Sequence, residues 1–244
     1  MNAICFSGSF ADWRDLARSA VIAQLPPDQI VWACEEERSL LTSISLNPAP
    51  SSLRMPRRFL EQAEVIALHS SSQKWALLYQ ALWRIHHGER HLLELAADPL
   101  TRELQAMDKA VRRDAYKAQA FVRFREVPLG DELWQVAWHE PEHNILKLVF
   151  PFFRDRFTNV KWSILTPWQC VYWDTLQEVF TPGIPKQNLP EDDVENLWVR
   201  YYETTFNPAR LKLKAMQAQM QKKYWKNLPE AASIPALIRR STEI

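Results

Sequence analysis

The stretch His139-Glu-Pro-Glu-His143 places two imidazoles and two carboxylates within five residues. Its H-E-x-x-H spacing is that of zinc peptidases, where two imidazoles one helical turn apart ligate the metal and the glutamate acts as base. That chemistry needs both imidazoles on one helix face. Pro141 biases Glu140 toward extended backbone and His139 ends an expected strand, so the spacing points away from zinc and no metal is expected. Without a metal, His143 and Glu140, with Glu142 and Asp155 close in sequence, remain candidates for general acid–base work; the plainer role for such carboxylates is to cap a helix start. His86, His87 and His91 surround an expected helix end, where cations meet the carbonyl terminus favourably. No G-x-S-x-G elbow anchors a Ser/His/Asp triad, and four glycines supply no phosphate-cradling loop.

A second kind of chemistry lies near the end of the chain. Between Glu203 and Glu230 there is no acidic residue, but there are six cations, Arg210, Lys212, Lys214, Lys222, Lys223 and Lys226, beside Tyr224-Trp225. Lysine and arginine neutralise phosphates and release counterions, and an aromatic face can stack on an unpaired base. The alternatives are a helix packed by its apolar stripe with solvated cations, or a basic helix that docks an acidic protein surface.

These groups need elements to position them. Asp98-Pro99 opens a helix, an acceptor followed by a residue whose missing N–H costs nothing in the first turn. Leu100, Leu104, Met107, Val111, Ala115 and Ala118 form its apolar stripe, and a rotation of about 100° per residue gathers Arg102, Lys109, Arg113 and Lys117 on the opposite side. The period then switches to alternation, with Val122 and Phe124 facing one way and Arg123 and Arg125 the other, which predicts a strand continuing the cationic surface. Pro128-Leu-Gly-Asp makes a turn and Leu133 to His139 returns as an antiparallel strand; Lys161–Thr166 and Val171–Phe180 are further strands. Residues 141–157 read as helical in two pieces, broken or kinked at Pro151.

Upstream, residues 3–6 and 30–34 read as strands around a helix capped by Ser9 and Asp12, and helices follow over 56–68 and 72–87. Pro190 opens an aromatic helix and Asn207-Pro208 another, whose Ala209, Leu213, Met216, Met220 and Tyr224 share a face. The Pro/Ser-rich stretch 47–52 reads as a linker between a small amino-terminal α/β segment, 1–46, and a main domain, 54–244. The class expected is α+β, mostly helical with a small antiparallel sheet.

Composition narrows the function classes. A length of 244 residues with ordinary apolar content supports a folded core, and a net charge of +1 means that attraction to an anion must come from segregated charge. Cys5, Cys34 and Cys170 lack the paired spacing of a zinc ribbon or iron–sulfur site, so free thiols in a reducing cytoplasm are expected, and no cofactor. The start of the chain has no leader pattern and no run reaches spanning length, so no membrane partner is expected.

Several of these residues fall in a recognisable linear series: Leu78-Tyr-Gln-Ala-Leu-Trp-Arg84, Val111-Arg-Arg-Asp through Phe121-Val-Arg-Phe-Arg-Glu126, Glu140-Pro-Glu-His143, and Pro151-Phe-Phe with Arg156-Phe157. It continues through Thr166-Pro167, Tyr172-Trp-Asp174, Tyr201-Tyr202 and the segment from Phe206-Asn-Pro-Ala-Arg210 to Ala231. The series is similar to a bacterial family of uncharacterised domains described as probable DNA-metabolism proteins. Those domains occur beside a radical-SAM protein or fused ahead of a uracil-DNA glycosylase-like domain. The resemblance implies a DNA-binding accessory role in repair or base modification, with DNA and one of those proteins as partners; any iron–sulfur cluster would belong to the partner. In that reading Lys109, Arg113, Lys117, Arg123, Arg125 and the terminal cations contact phosphate, and Tyr224 or Trp225 stacks. A repair or nucleotide-processing enzyme centred on His143 is the alternative. The chain departs from the family pattern at Tyr116-Lys-Ala118, where His-Lys-Met is expected, and at Gln221, where proline is expected and whose absence predicts an unbroken last helix.

Overall fold

The computed structural model describes residues 2–34, 46, 54–186, 219–225, 227–228, 231, 233–236 and 239. The chain forms two compact units, residues 1–113 and 114–244, and the boundary falls inside one long helix. The expected linker at 47–52 and the helices opening at Pro190 and Pro208 lie outside the described residues.

The first unit opens with strand β1 (Asn2–Phe6), helix α1 (Phe10–Ile22) and strand β2 (Ile30–Cys34). The strands pair in parallel, from Asn2 opposite Ile30 to Phe6 opposite Cys34. Parallel neighbours need a crossover, and α1 supplies it. Ser9 caps that helix by accepting the Asp12 N–H at 3.2 Å, while the Asp12 carboxylate takes the Ser7 N–H at 2.7 Å. Helices α2 (Arg57–Ile66) and α3 (Lys74–His86) follow. An aromatic core joins them: Trp75 lies 5.1 Å from Phe6 and 5.6 Å from Trp13, ring centre to ring centre. The Tyr79 hydroxyl donates to the Leu25 carbonyl at 2.6 Å, which gives the polar end of a buried ring its partner.

Helix α4 (Pro99–Phe121) starts where its cap predicts. Asp98 accepts the Thr101 N–H at 3.0 Å and is itself held by Arg84 at 2.8 Å, a guanidinium that also grips Glu89 at 2.6 Å. All six residues of the expected stripe, Leu100 through Ala118, are buried. Each fully buried leucine contributes roughly 1.5–3 kcal/mol, so this face, more than helix propensity, fixes the helix in place.

The second unit is built on five strands: β3 (Arg125–Leu129), β4 (Glu132–Trp138), β5 (Trp162–Leu165), β6 (Gln169–Trp173) and β7 (Glu178–Pro182), in that order across the sheet. Neighbours are antiparallel except β4 and β5, which run parallel. The α+β class holds, but the sheet is mixed, where a small antiparallel one is expected. The cause is helix α5 (Leu146–Arg156), which carries the chain from one end of β4 back to the start of β5. Phe150 of α5 packs on the sheet, its ring 5.7 Å from Trp162 and 5.8 Å from Phe180.

Four local expectations need correction. The strand expected from Val122 begins at Arg125, and the strand expected over 171–180 is two strands separated by a turn in which the Asp174 carboxylate accepts the N–H groups of Leu176 and Gln177, both at 2.8 Å. Pro151 does not split α5. Pro151 and Lys147 share the exposed face, so the carbonyl that proline leaves without an amide is on the solvent side. The last helix is interrupted despite Gln221: residues 220–221 are not helical and a short helix α6 (Lys222–Trp225) restarts beyond them. The Lys117 ammonium takes the Gln219 carbonyl and the Trp225 indole N–H takes the Met220 carbonyl, so side chains hold two acceptors that helical amides would use. Cys5 and Cys170 are free thiols, and the Cys34 side chain lies outside the described residues. Among the described residues no helix is long and apolar enough to cross a membrane.

Candidate functional site

His139 follows β4, its N–H donating to the Leu165 carbonyl at 3.0 Å, and residues 139–145 form no helix. The two histidines of the H-E-x-x-H string are therefore not stacked on one helix face. Both are buried, His139 at 2% exposure and His143 at 5%. Of the nearby carboxylates, Glu142 is exposed, and Asp155 is exposed and paired with Arg154 at 2.8 Å. Glu140 is half-buried.

What His143 meets is Asp114, on α4. Its Oδ2 accepts the His143 backbone N–H at 3.0 Å and its Oδ1 accepts the Tyr224 hydroxyl at 3.2 Å. Tyr224 stacks on Phe121 at 5.1 Å and lies parallel to His139 at 6.2 Å with 4° between the planes. One turn along α4 from Asp114, Lys117 donates to the Gln219 side-chain oxygen at 3.1 Å and sits 5.7 Å from the Phe121 ring. Asp114, Lys117 and Phe121 recur at i, i+3 and i+7, so one stripe of α4 receives the terminal segment. Asp114, Lys117, His139, His143 and Tyr224 are groups of acid–base chemistry, but each is buried. They join three separate pieces of chain.

The cations of α4 divide. Arg102, Lys109 and Arg113 are exposed, and among the described residues none has an ion-pair or hydrogen-bond partner. Arg112, to one side, is tied to Asp108 at 2.9 Å. Lys117, in register with that row, is buried at 6% exposure. Arg123 folds back on the end of α4, where its Nη1 donates to the carbonyls of Ala120 at 2.8 Å and Val122 at 3.3 Å, and it lines a cavity beside α5. Arg125 opens β3 opposite Val136. Lys222 is exposed, and Trp225 is half-buried with its indole N–H on Met220. Arg210, Lys212, Lys214 and Lys226 lie outside the described residues, as does the side chain of Lys223. At the end of α3, His87 stacks on Trp83 at 4.1 Å and His91 meets Glu94 at 3.2 Å.

The signal that could have marked Asp114 is its spacing. An acid three residues before a lysine and seven before an aromatic is an unusual stripe for solvent, although the pattern carries no hint of Tyr224, 110 residues away. A family model for a domain of unknown function, DUF4130, matches residues 72–230, which takes in α3, α4, the whole five-stranded sheet and Tyr224. No curated protein and no solved structure matches.

Proposed function

Because the chain belongs to the DUF4130 family, whose function is unknown, its role has to come from its own side chains, and we propose that it is a DNA-binding accessory protein in repair or base modification. The observation that carries this reading is the row Arg102, Lys109 and Arg113, three exposed cations on one face of α4 without a carboxylate partner among the described residues. At ~1.5 Å per residue the row extends along about 16 Å of helix. Surface cations are ordinarily interleaved with acids that neutralise them, as Asp108 does Arg112. A row left uncompensated is suited to polyanion backbone, whose charge recurs along its length. In this reading a uracil-DNA glycosylase-like or radical-SAM partner performs the chemistry, and the buried state of His143 agrees with a role outside catalysis.

The test is a binding titration across ionic strength with duplex and single-stranded oligonucleotides. Removing one cation–phosphate interaction lowers the slope of log K against log salt by about 0.9 on duplex and about 0.7 on single strands. The triple variant Arg102→Gln/Lys109→Gln/Arg113→Gln is expected to bind more weakly and with a flatter slope. Equal affinity and slope in that variant would remove the row from the interface. Absence of DNA binding at low salt, together with nuclease-resistant capture of an acidic protein, would select a protein-docking role instead.

A further inference from the structure

In the second unit a cavity of about 460 Å3 opens between the end of α4, the last turns of α5 and strands β4 and β5, within the ~300–1,000 Å3 typical of small-molecule sites. Its apolar lining is aromatic. Phe153 and Trp162 are buried there, and the Phe124 ring meets them edge-on, with centroids 5.7 Å and 6.0 Å away. Such walls favour a flat ring that can stack or be met by ring edges.

The polar lining is of a restricted kind. Arg123 and Arg156 contribute guanidiniums, Gln119 and Gln135 contribute amides, and the described lining contains no carboxylate. Arg123 is fixed by its bonds to the end of α4. Arg156 is exposed, lies 5.8 Å from the Phe157 ring, and has no acidic partner among the described residues. Gln135 donates its amide to Glu126 at 3.0 Å, which keeps its carbonyl oxygen as an acceptor. Gln119 has no side-chain hydrogen bond among the described residues. Arg156, exposed and without an acidic partner among the described residues, calls for an anion, amides read the edge of a heterocycle, and the walls call for a flat ring.

We propose that this cavity seats an unpaired nucleobase, with its phosphate on Arg156 at the rim and its edge read by Gln119. The inference rests on the DNA-binding reading only for the source of the base, since a free nucleotide carries the same chemistry. It uses residues different from the α4 row, so the two ideas can fail separately.

The experiment is calorimetric titration of the full chain with nucleoside 5′-monophosphates, with inorganic phosphate as the control. In parallel, a single-stranded oligonucleotide carrying one 2-aminopurine is compared with the same strand abasic at that position. Monophosphates are expected to bind more tightly than phosphate, and 2-aminopurine emission to be quenched on binding. Arg156→Gln, at an exposed position, is expected to weaken monophosphate binding by about tenfold. Val160→Trp, on the lining, is expected to block quenching by filling the space. Monophosphates binding no better than phosphate, with abasic and base-bearing strands held equally, would overturn the proposal and leave the α4 row standing. Monophosphate binding without any binding to strands would keep the cavity as a nucleotide site and overturn the DNA-binding role. Binding indifferent to both variants would place the ligand elsewhere and overturn the assignment.

Discussion

The Tyr224 hydroxyl donates to Asp114 Oδ1 at 3.2 Å across 110 residues of sequence, while the other oxygen of that carboxylate holds the His143 N–H at 3.0 Å. A single buried carboxylate thus ties the terminal segment and the β4–α5 connection to α4. Removing one partner from a buried polar pair leaves the other desolvated without return, which costs ~1–3 kcal/mol.

Tyr224→Phe keeps the ring that stacks on Phe121 and deletes only the hydroxyl. It is expected to lower unfolding stability by about 1 kcal/mol in urea titration, and Asp114→Ala by more, since His143 then loses its acceptor as well. If Tyr224→Phe unfolds at the wild-type midpoint, the hydroxyl bond contributes nothing.

Burial of the α4 stripe follows its sequence period, because a helix that hides one face needs apolar residues at that spacing whatever it packs against. The β3–β4 hairpin is equally legible: Gly130, at φ 64°, and Asp131 form the two-residue turn between Leu129 and Glu132. All four residues of β5 are buried, as are the last three of β4, a pattern that says nothing about strand direction, so the parallel pairing is invisible until α5 is known to cross between them. Lys117 misleads for a related reason. Its register places it with Lys109 and Arg113, and only the docking of residues 219–225 turns that position from surface to interior.

Arg84 joins Glu89 and Asp98, and holds both carboxyls below the ordinary carboxylate range, chiefly through its side-chain hydrogen bonds; the Thr101 N–H adds to the effect at Asp98. A carboxyl depressed on folding contributes stability that is complete above its unfolded value, about 3.9–4.3, and is lost as pH falls through the lower folded value. Wild type is therefore expected to lose stability as pH falls below about 4. Arg84→Met returns both carboxyls toward ordinary values and is expected to flatten that acid limb in urea unfolding between roughly pH 2 and 6. Parallel limbs for the two proteins would show that the cluster does not couple to folding.

Gly183 follows β7 with its backbone against the Pro167-Trp168 turn, where Ile184 N–H donates to the Thr166 carbonyl at 3.1 Å. A Cβ at Gly183 would overlap the Pro167 carbonyl and crowd the Trp168 backbone, which cannot move aside as a side-chain end can. Gly183→Ala is expected to cost ~2 kcal/mol by overpacking. Leu176→Ala, at a position 87% exposed, is the control, and a change within about 0.5 kcal/mol is expected. Equal midpoints for the two variants in thermal unfolding would refute the close approach.

Lys109 and Lys117 are two turns apart on the same helix and differ in environment, so they separate folding from binding. Lys117 is 6% exposed and donates to the backbone and side-chain oxygens of Gln219, whereas Lys109 is exposed and has no partner among the described residues. Lys117→Met removes a charge-assisted donor from two acceptors and is expected to cost ~1–3 kcal/mol in unfolding. Because its ammonium is turned to Gln219, the salt dependence of DNA binding is expected to stay as in wild type. Lys109→Met is expected to do the reverse, with stability within about 0.5 kcal/mol of wild type and a duplex salt slope lower by about 0.9. A lower slope in the Lys117 variant at full stability would return that residue to the phosphate-contacting row and contradict the docking of the terminal segment on α4.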